Sequence, residues 1–122
     1  MALAQETPIL LLDEPTTFLD IAHQIEVLDL VADLNDRRGA TVVMVLHDLN
    51  HACRYADHVI AMSGGAIVAS GAPAEVITAE VVREVFGLEC IVVDDPVAGT
   101  PMVVPAARSR RPSAALVAVA GL

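Results

Sequence analysis

The chain has 122 residues, the size of one small domain or part of one, and 55% of them are hydrophobic, as in a packed α/β interior. The formal net charge is -9 and all seven cations are arginines, so no basic surface is present to neutralise a phosphate backbone, which argues against nucleic-acid binding. The longest apolar runs, residues 9–12, 41–46 and 114–122, fall far short of the roughly 18 residues that cross a bilayer, and no transmembrane segment is expected.

In chain order, Met1-Ala2-Leu3-Ala4-Gln5-Glu6 has neither the basic leader nor the long apolar core of a secretory signal, which points to a cytosolic protein. Pro8 ends a short helical start, and residues 9–12 are aliphatic at every position, as expected of a central parallel strand covered on both faces. From Asp20 the period becomes helical, with Ile21, Ile25, Leu28 and Val31 on one face. Asp20 can cap the start, while Arg37, Arg38 and Gly39 mark the end. Residues 41–46 form a second apolar, β-branched run, so strand, helix and strand make a right-handed crossover with parallel strands.

Asp48 can cap a helix reaching about Tyr55, residues 58–62 read as a third strand, and Gly64-Gly65 signals a hairpin into residues 66–70, an antiparallel edge. Pro73 suits a first helical turn, and Thr78 can cap a helix stopped by Gly87. Residues 89–93 and 102–104 resemble a terminal hairpin. Residues 106–122, with Arg108, Arg110, Arg111 and Pro112 before a small-residue apolar stretch, are expected to be a poorly ordered tail. Cys53 and Cys90 fit neither a paired metal motif nor a dense disulfide framework and are expected to be buried thiols.

In open parallel sheets, ligands lie at the carboxyl ends of the strands. The first apolar strand delivers Asp13 and Glu14 there, and the second delivers His47. Adjacent carboxylates directly after four aliphatic residues suit cation binding or acid-base work, although an ordinary acidic turn has the same appearance. The whole stretch Leu10-Leu11-Leu12-Asp13-Glu14-Pro15-Thr16-Thr17-Phe18-Leu19-Asp20 resembles the Walker B and D-loop segment of ATP-binding cassette (ABC) ATPases, and His47-Asp48-Leu49 resembles their switch histidine. Met1-Ala2-Leu3-Ala4-Gln5 is similar to the end of the helix that follows the signature motif of that family. The stretch Gly71-Ala72-Pro73-Ala74-Glu75-Val76-Ile77-Thr78, followed by Val85-Phe86-Gly87, resembles importers of ferric siderophores, haem and cobalamin.

The resemblance covers residues 1–105 and implies an incomplete α/β domain: the carboxyl-terminal half of a P-loop NTPase, with a mainly parallel sheet and flanking helices. Residues 1–62 would carry the Walker B, D-loop and switch-histidine segment, and residues 63–105 the last strands and helices. It further implies ATP and magnesium as cofactors, with Asp13 holding the magnesium through water, Glu14 as general base toward the attacking water, and His47 contacting the γ-phosphate. Asp20 would belong to the D-loop that couples two nucleotide sites across a homodimer, and the domain would dock on a membrane permease at the inner face of the cell membrane.

A phosphate-cradling loop of the form G-x-x-x-x-G-K-S/T needs a lysine, and the chain has none. The expectation is therefore a truncated importer subunit that neither binds ATP tightly nor hydrolyses it alone. Loss of the covering half would leave apolar strands bare and solubility low. Other readings are a non-catalytic truncated product, an ABC-class ATPase of DNA maintenance, and a zinc-dependent hydrolase suggested by His47 and His51 four residues apart. Against the last stand the missing glutamate of H-E-x-x-H and the placement of His47 at a strand end. His51 and His58 are expected to be solvated or packed, and His23 an exposed helix position.

Overall fold

A computed structural model describes residues 8–106, 115 and 117–120; the expected helical start and most of the expected tail lie outside the described residues. Strand β1 (Ile9–Asp13) pairs in parallel with β2 (Thr41–Val45), residue for residue from Ile9 beside Thr41 to Asp13 beside Val45. Helix α1 (Ile21–Arg38) connects them. Its ends form as the sequence implies: the Asp20 side chain accepts the His23 amide, and Gly39 takes the left-handed conformation with φ 63° while its amide bonds back to Leu34. Leu28 and Val31 are the buried residues of α1, which packs against β2.

The expectation that the first strand is covered on both faces is not met. One face of the pair, Leu10, Leu12, Val42 and Met44, is half-buried; the other, Ile9, Leu11, Val43 and Val45, is exposed, with Leu11 at 75%. The reason is topological: side chains alternate across the pleat, and among the described residues β1 and β2 form a two-stranded sheet with the helix packing α1 provides. Among the described residues parallel pairing is likewise confined to this pair, and the other two sheets are antiparallel.

Helix α2 (Leu49–Tyr55) starts at Asp48, whose side chain accepts the amides of Asn50 and His51. Strands β3 (Val59–Ser63) and β4 (Ala66–Gly71) form a hairpin whose turn residues, Gly64 and Gly65, both have positive φ, as a two-residue primed turn demands. The short α3 (Pro73–Val76) opens on its proline, and α4 (Ala79–Phe86) runs from a Thr78 cap to a left-handed Gly87. Strands β5 (Cys90–Asp94) and β6 (Pro101–Pro105) close the fold as a second hairpin.

The main core gathers in this later part. Cys53 of α2, Ala61 of β3, Val76, Ile77, Val82 of α4, Cys90 of β5 and Val103 of β6 form one buried cluster, flanked by Leu49, Val59, Ala69, Val85 and Leu88. Both cysteines are buried and free, as expected, and burial pushes the Cys53 thiol above its ordinary pKa. Among the described residues no helix is long and apolar enough to cross a membrane.

Candidate active site

Parallel register assembles the candidate site. Asp13 lies beside Val45 at the ends of the two strands, and the Glu14 amide extends the ladder by donating to the Val45 carbonyl at 3.0 Å. Glu14 and His47 therefore leave neighbouring strand ends, and the Glu14 Oε1 and His47 Nε2 atoms meet in a short hydrogen bond across 33 positions of sequence. Glu14 has φ 51°, a left-handed conformation that a residue with a Cβ adopts at a cost. Beyond it the loop is held by the Thr17 amide on the Glu14 carbonyl and the Leu19 amide on the Thr16 carbonyl, each at 3.2 Å.

The His47 contact, first as a hydrogen bond and then through charge, holds the Glu14 carboxyl below its ordinary pKa. The other carboxylate oxygen, Oε2, accepts the Thr17 hydroxyl at 3.2 Å. Sequence reading did not single out Thr17 for this; an acidic residue followed three positions later by a threonine in a turn was the available signal. The pair is open to solvent, with 75% of the His47 side chain and 38% of that of Glu14 exposed. A depression of about 430 Å³ between α2, the start of α3 and the β5–β6 turn has none of Asp13, Glu14, Asp20 or His47 in its lining.

Of the four expected site residues, the structure thus brings Glu14 and His47 together. Asp13 ends β1 exposed, and among the described residues no side chain hydrogen-bonds to its carboxylate. An unengaged carboxylate at a strand end fits magnesium, which takes hard oxygen donors, keeps several waters and needs only one or two protein ligands. Asp20 is engaged elsewhere: its Oδ1 accepts the His23 amide at 2.9 Å and lies 2.7 Å from His23 Nδ1. The amide bond leads in holding the Asp20 carboxyl below its usual range.

The zinc reading fails on geometry. His47 precedes the Asp48 cap and turns to Glu14, whereas His51 lies within α2, so the two do not share a helix face. Among the described residues no group of three or more histidine, cysteine, aspartate or glutamate side chains could hold a metal ion. His51 is packed, His58 meets the Ser70 hydroxyl at 2.7 Å, and His23 is exposed.

Known proteins carry the same segment. The chain is 61% identical over 109 residues to the ferric enterobactin transport ATP-binding protein of Escherichia coli, covering 89% of this chain and 40% of that one. The similarity is to the carboxyl-terminal part of ABC-transporter ATP-binding subunits. The achromobactin transport ATP-binding protein of Dickeya dadantii is 54% identical, with 97% of this chain and 44% of that protein covered. A siderophore transport system ATP-binding protein of Bacillus subtilis is 56% identical, with 90% and 40% covered. The chain thus spans less than half the length of the curated relatives it matches. A solved structure described as a metal-chelate type ABC transporter in an inward-facing conformation superposes with a TM-score of 0.68 at 25% identity, covering 82% of this chain and 40% of that one. No protein-family model matches. The α/β fold is that of an ABC ATPase segment, with three short sheets in place of a mainly parallel one.

Proposed function

We propose that this chain supplies the water-activating and phosphate-sensing residues of an ABC-type ATPase that drives import of ferric siderophores or related iron complexes. The observation that carries the reading is the Glu14–His47 contact at the carboxyl ends of a parallel strand pair, the place where ligands sit in open α/β sheets. Glu14, kept ionised by its neighbour, is suited to take a proton from an attacking water. His47 has Nε2 at that carboxylate; with both ring nitrogens protonated it can donate from Nε2 to Glu14 and present its Nδ1–H to a γ-phosphate oxygen. Asp13, free at the strand end, is suited to orient a hydrated cation. Magnesium, when bound with ATP, would neutralise charge on the phosphate oxygens. The Thr17 hydroxyl limits rotation of the Glu14 carboxylate.

The 122 residues hold no lysine and so no phosphate-cradling loop of their own; nucleotide affinity must come from a complementary segment. The iron-complex substrate rests on the relatives, whose names specify ferric enterobactin, achromobactin and siderophore transport. A membrane permease and a second ATP-binding domain are the partners such subunits need, on the cytoplasmic side of the membrane.

The test is to graft this chain in place of the matching 40% of the enterobactin relative and measure magnesium-ATP turnover. Turnover by the graft that Glu14→Gln and His47→Ala each abolish would support the reading. Unchanged turnover in the Glu14→Gln graft would overturn the role of Glu14, and the 122-residue chain alone should be inactive.

A further inference from the structure

Two polar clasps outside the site join α2 to the β5–β6 hairpin. In the first, the Asn50 carboxamide reproduces a strand partner: its Nδ2 donates to the Val103 carbonyl at 3.3 Å, and the Val103 amide donates to its Oδ1 at 2.7 Å. In the second, the Arg54 Nε and Nη2 both donate to Asp95 Oδ2, at 3.1 and 2.6 Å. Asp95 is 6% exposed and fully used, because its Oδ1 accepts the Val97 and Ala98 amides and so shapes the hairpin turn. The residues of the two clasps are 53 and 41 positions apart in sequence.

Only Leu46, His47 and Asp48 separate the end of β2 from the start of α2. His47 is three-quarters exposed and its Nε2 bonds to Glu14, so little packing of its own fixes the ring. Its position is set by the two ends of that three-residue link. The β2 end is fixed by the strand ladder and the Glu14 amide. The α2 end is held by the Asp48 cap, by the core packing of Leu49 and Cys53, and by the clasps of Asn50, one residue into the helix, and Arg54, a turn later.

We propose that Asn50 and Arg54 are positioning residues for His47: by clasping α2 to the C-terminal hairpin they hold the histidine within reach of Glu14. The hairpin thereby acts on a site it does not touch. A helix of seven residues is too short to hold its own geometry against fraying, so an external anchor at each turn decides where its first turn sits. The proposal rests on reading Glu14 and His47 as the reacting pair, but its test reads geometry and not turnover.

The test is nuclear magnetic resonance on the isotope-labelled chain, following the cross-peak between the His47 ring protons and the Glu14 side-chain methylene. Asn50→Ala and Arg54→Gln should each cause its loss, while the His23 ring contact with Asp20 and the far-ultraviolet circular dichroism stay as in the parent. A merely structural role would leave the His47 cross-peak in place whenever the fold is kept. Persistence of that cross-peak at parental intensity in both folded variants would overturn the proposal. If Asn50→Ala does not fold, Asn50→Asp is read in its place with the same two outcomes; it keeps the acceptor for the Val103 amide and loses the donor to the Val103 carbonyl. An inactive graft would refute the ATPase reading without moving this cross-peak, so the two failures are distinguishable.

Discussion

In the parallel pair β1–β2, Ile9, Leu11, Val43 and Val45 stand in solvent, whereas the two hairpins turn Ala61, Cys90 and Val103 onto α2, α3 and α4. The first region carries Asp13, Glu14 and His47 and buries little beyond Leu28, Val31 and Ala40. The second carries most of the core and none of those three side chains. Backbone register and loop geometry bring Glu14 and His47 together, and polar side chains of α2 tie that helix to the later part of the chain. A site of this kind can be open to solvent and still have its Glu14–His47 distance set.

The largest effect should come from the first region. In the grafted domain, Glu14→Gln should lower kcat by about 10²- to 10⁴-fold with little change in melting temperature, as loss of a positioned base does. An equal fall in both would mean that Glu14 holds structure and not chemistry. Ile77→Ala, at 2% exposure in the main core, should do the reverse, lowering stability by about 3 kcal/mol in denaturant unfolding. Acid provides a third contrast. The Asp95 carboxyl is held below its ordinary pKa first by Arg54, so its contribution is present above that ordinary value and is lost as pH falls through the lowered, folded-state value. Melting temperature should therefore fall below about pH 4, and Asp95→Asn should flatten that fall while lowering the plateau at neutral pH.

Smaller effects sharpen the comparison. Gly39→Ala would place a Cβ at φ 63° and should cost about 1 kcal/mol, read as a lower unfolding midpoint. Leu11→Thr, on the bare face of β1, should change stability by less than about 0.5 kcal/mol and should raise the solubility limit. A loss like that of Ile77→Ala would show that the face is covered in solution.

Much of this was legible in the sequence. The caps at Asp20, Asp48 and Thr78, the stops at Gly39 and Gly87, and the Gly64-Gly65 turn are local chemistry, fixed within four or five residues, and each forms where the residues imply. The strands start and end within a residue or two of the apolar runs. Coverage was legible only in part: four consecutive aliphatic residues record what a strand is suited to meet, and it was the expected loss of a covering half that implied bare strands, as Ile9, Leu11, Val43 and Val45 are. The clasps at Asn50 and Arg54 were also out of reach, because a helix residue bonding to a strand amide 53 positions away leaves no periodic trace. The Glu14–His47 meeting lay between these cases. Each residue was placed at a strand end by pattern, and their contact follows once the strands are taken as parallel and in register.

The Asn50 carboxamide has one more consequence. In a two-stranded hairpin, each strand keeps a row of outward amides and carbonyls that a passing chain could bind. On β6 the middle of that row, the Val103 amide and carbonyl, is already taken by a side chain. A side chain cannot itself be extended by another strand, so Asn50 plugs the β6 margin of the hairpin against growth into a longer sheet.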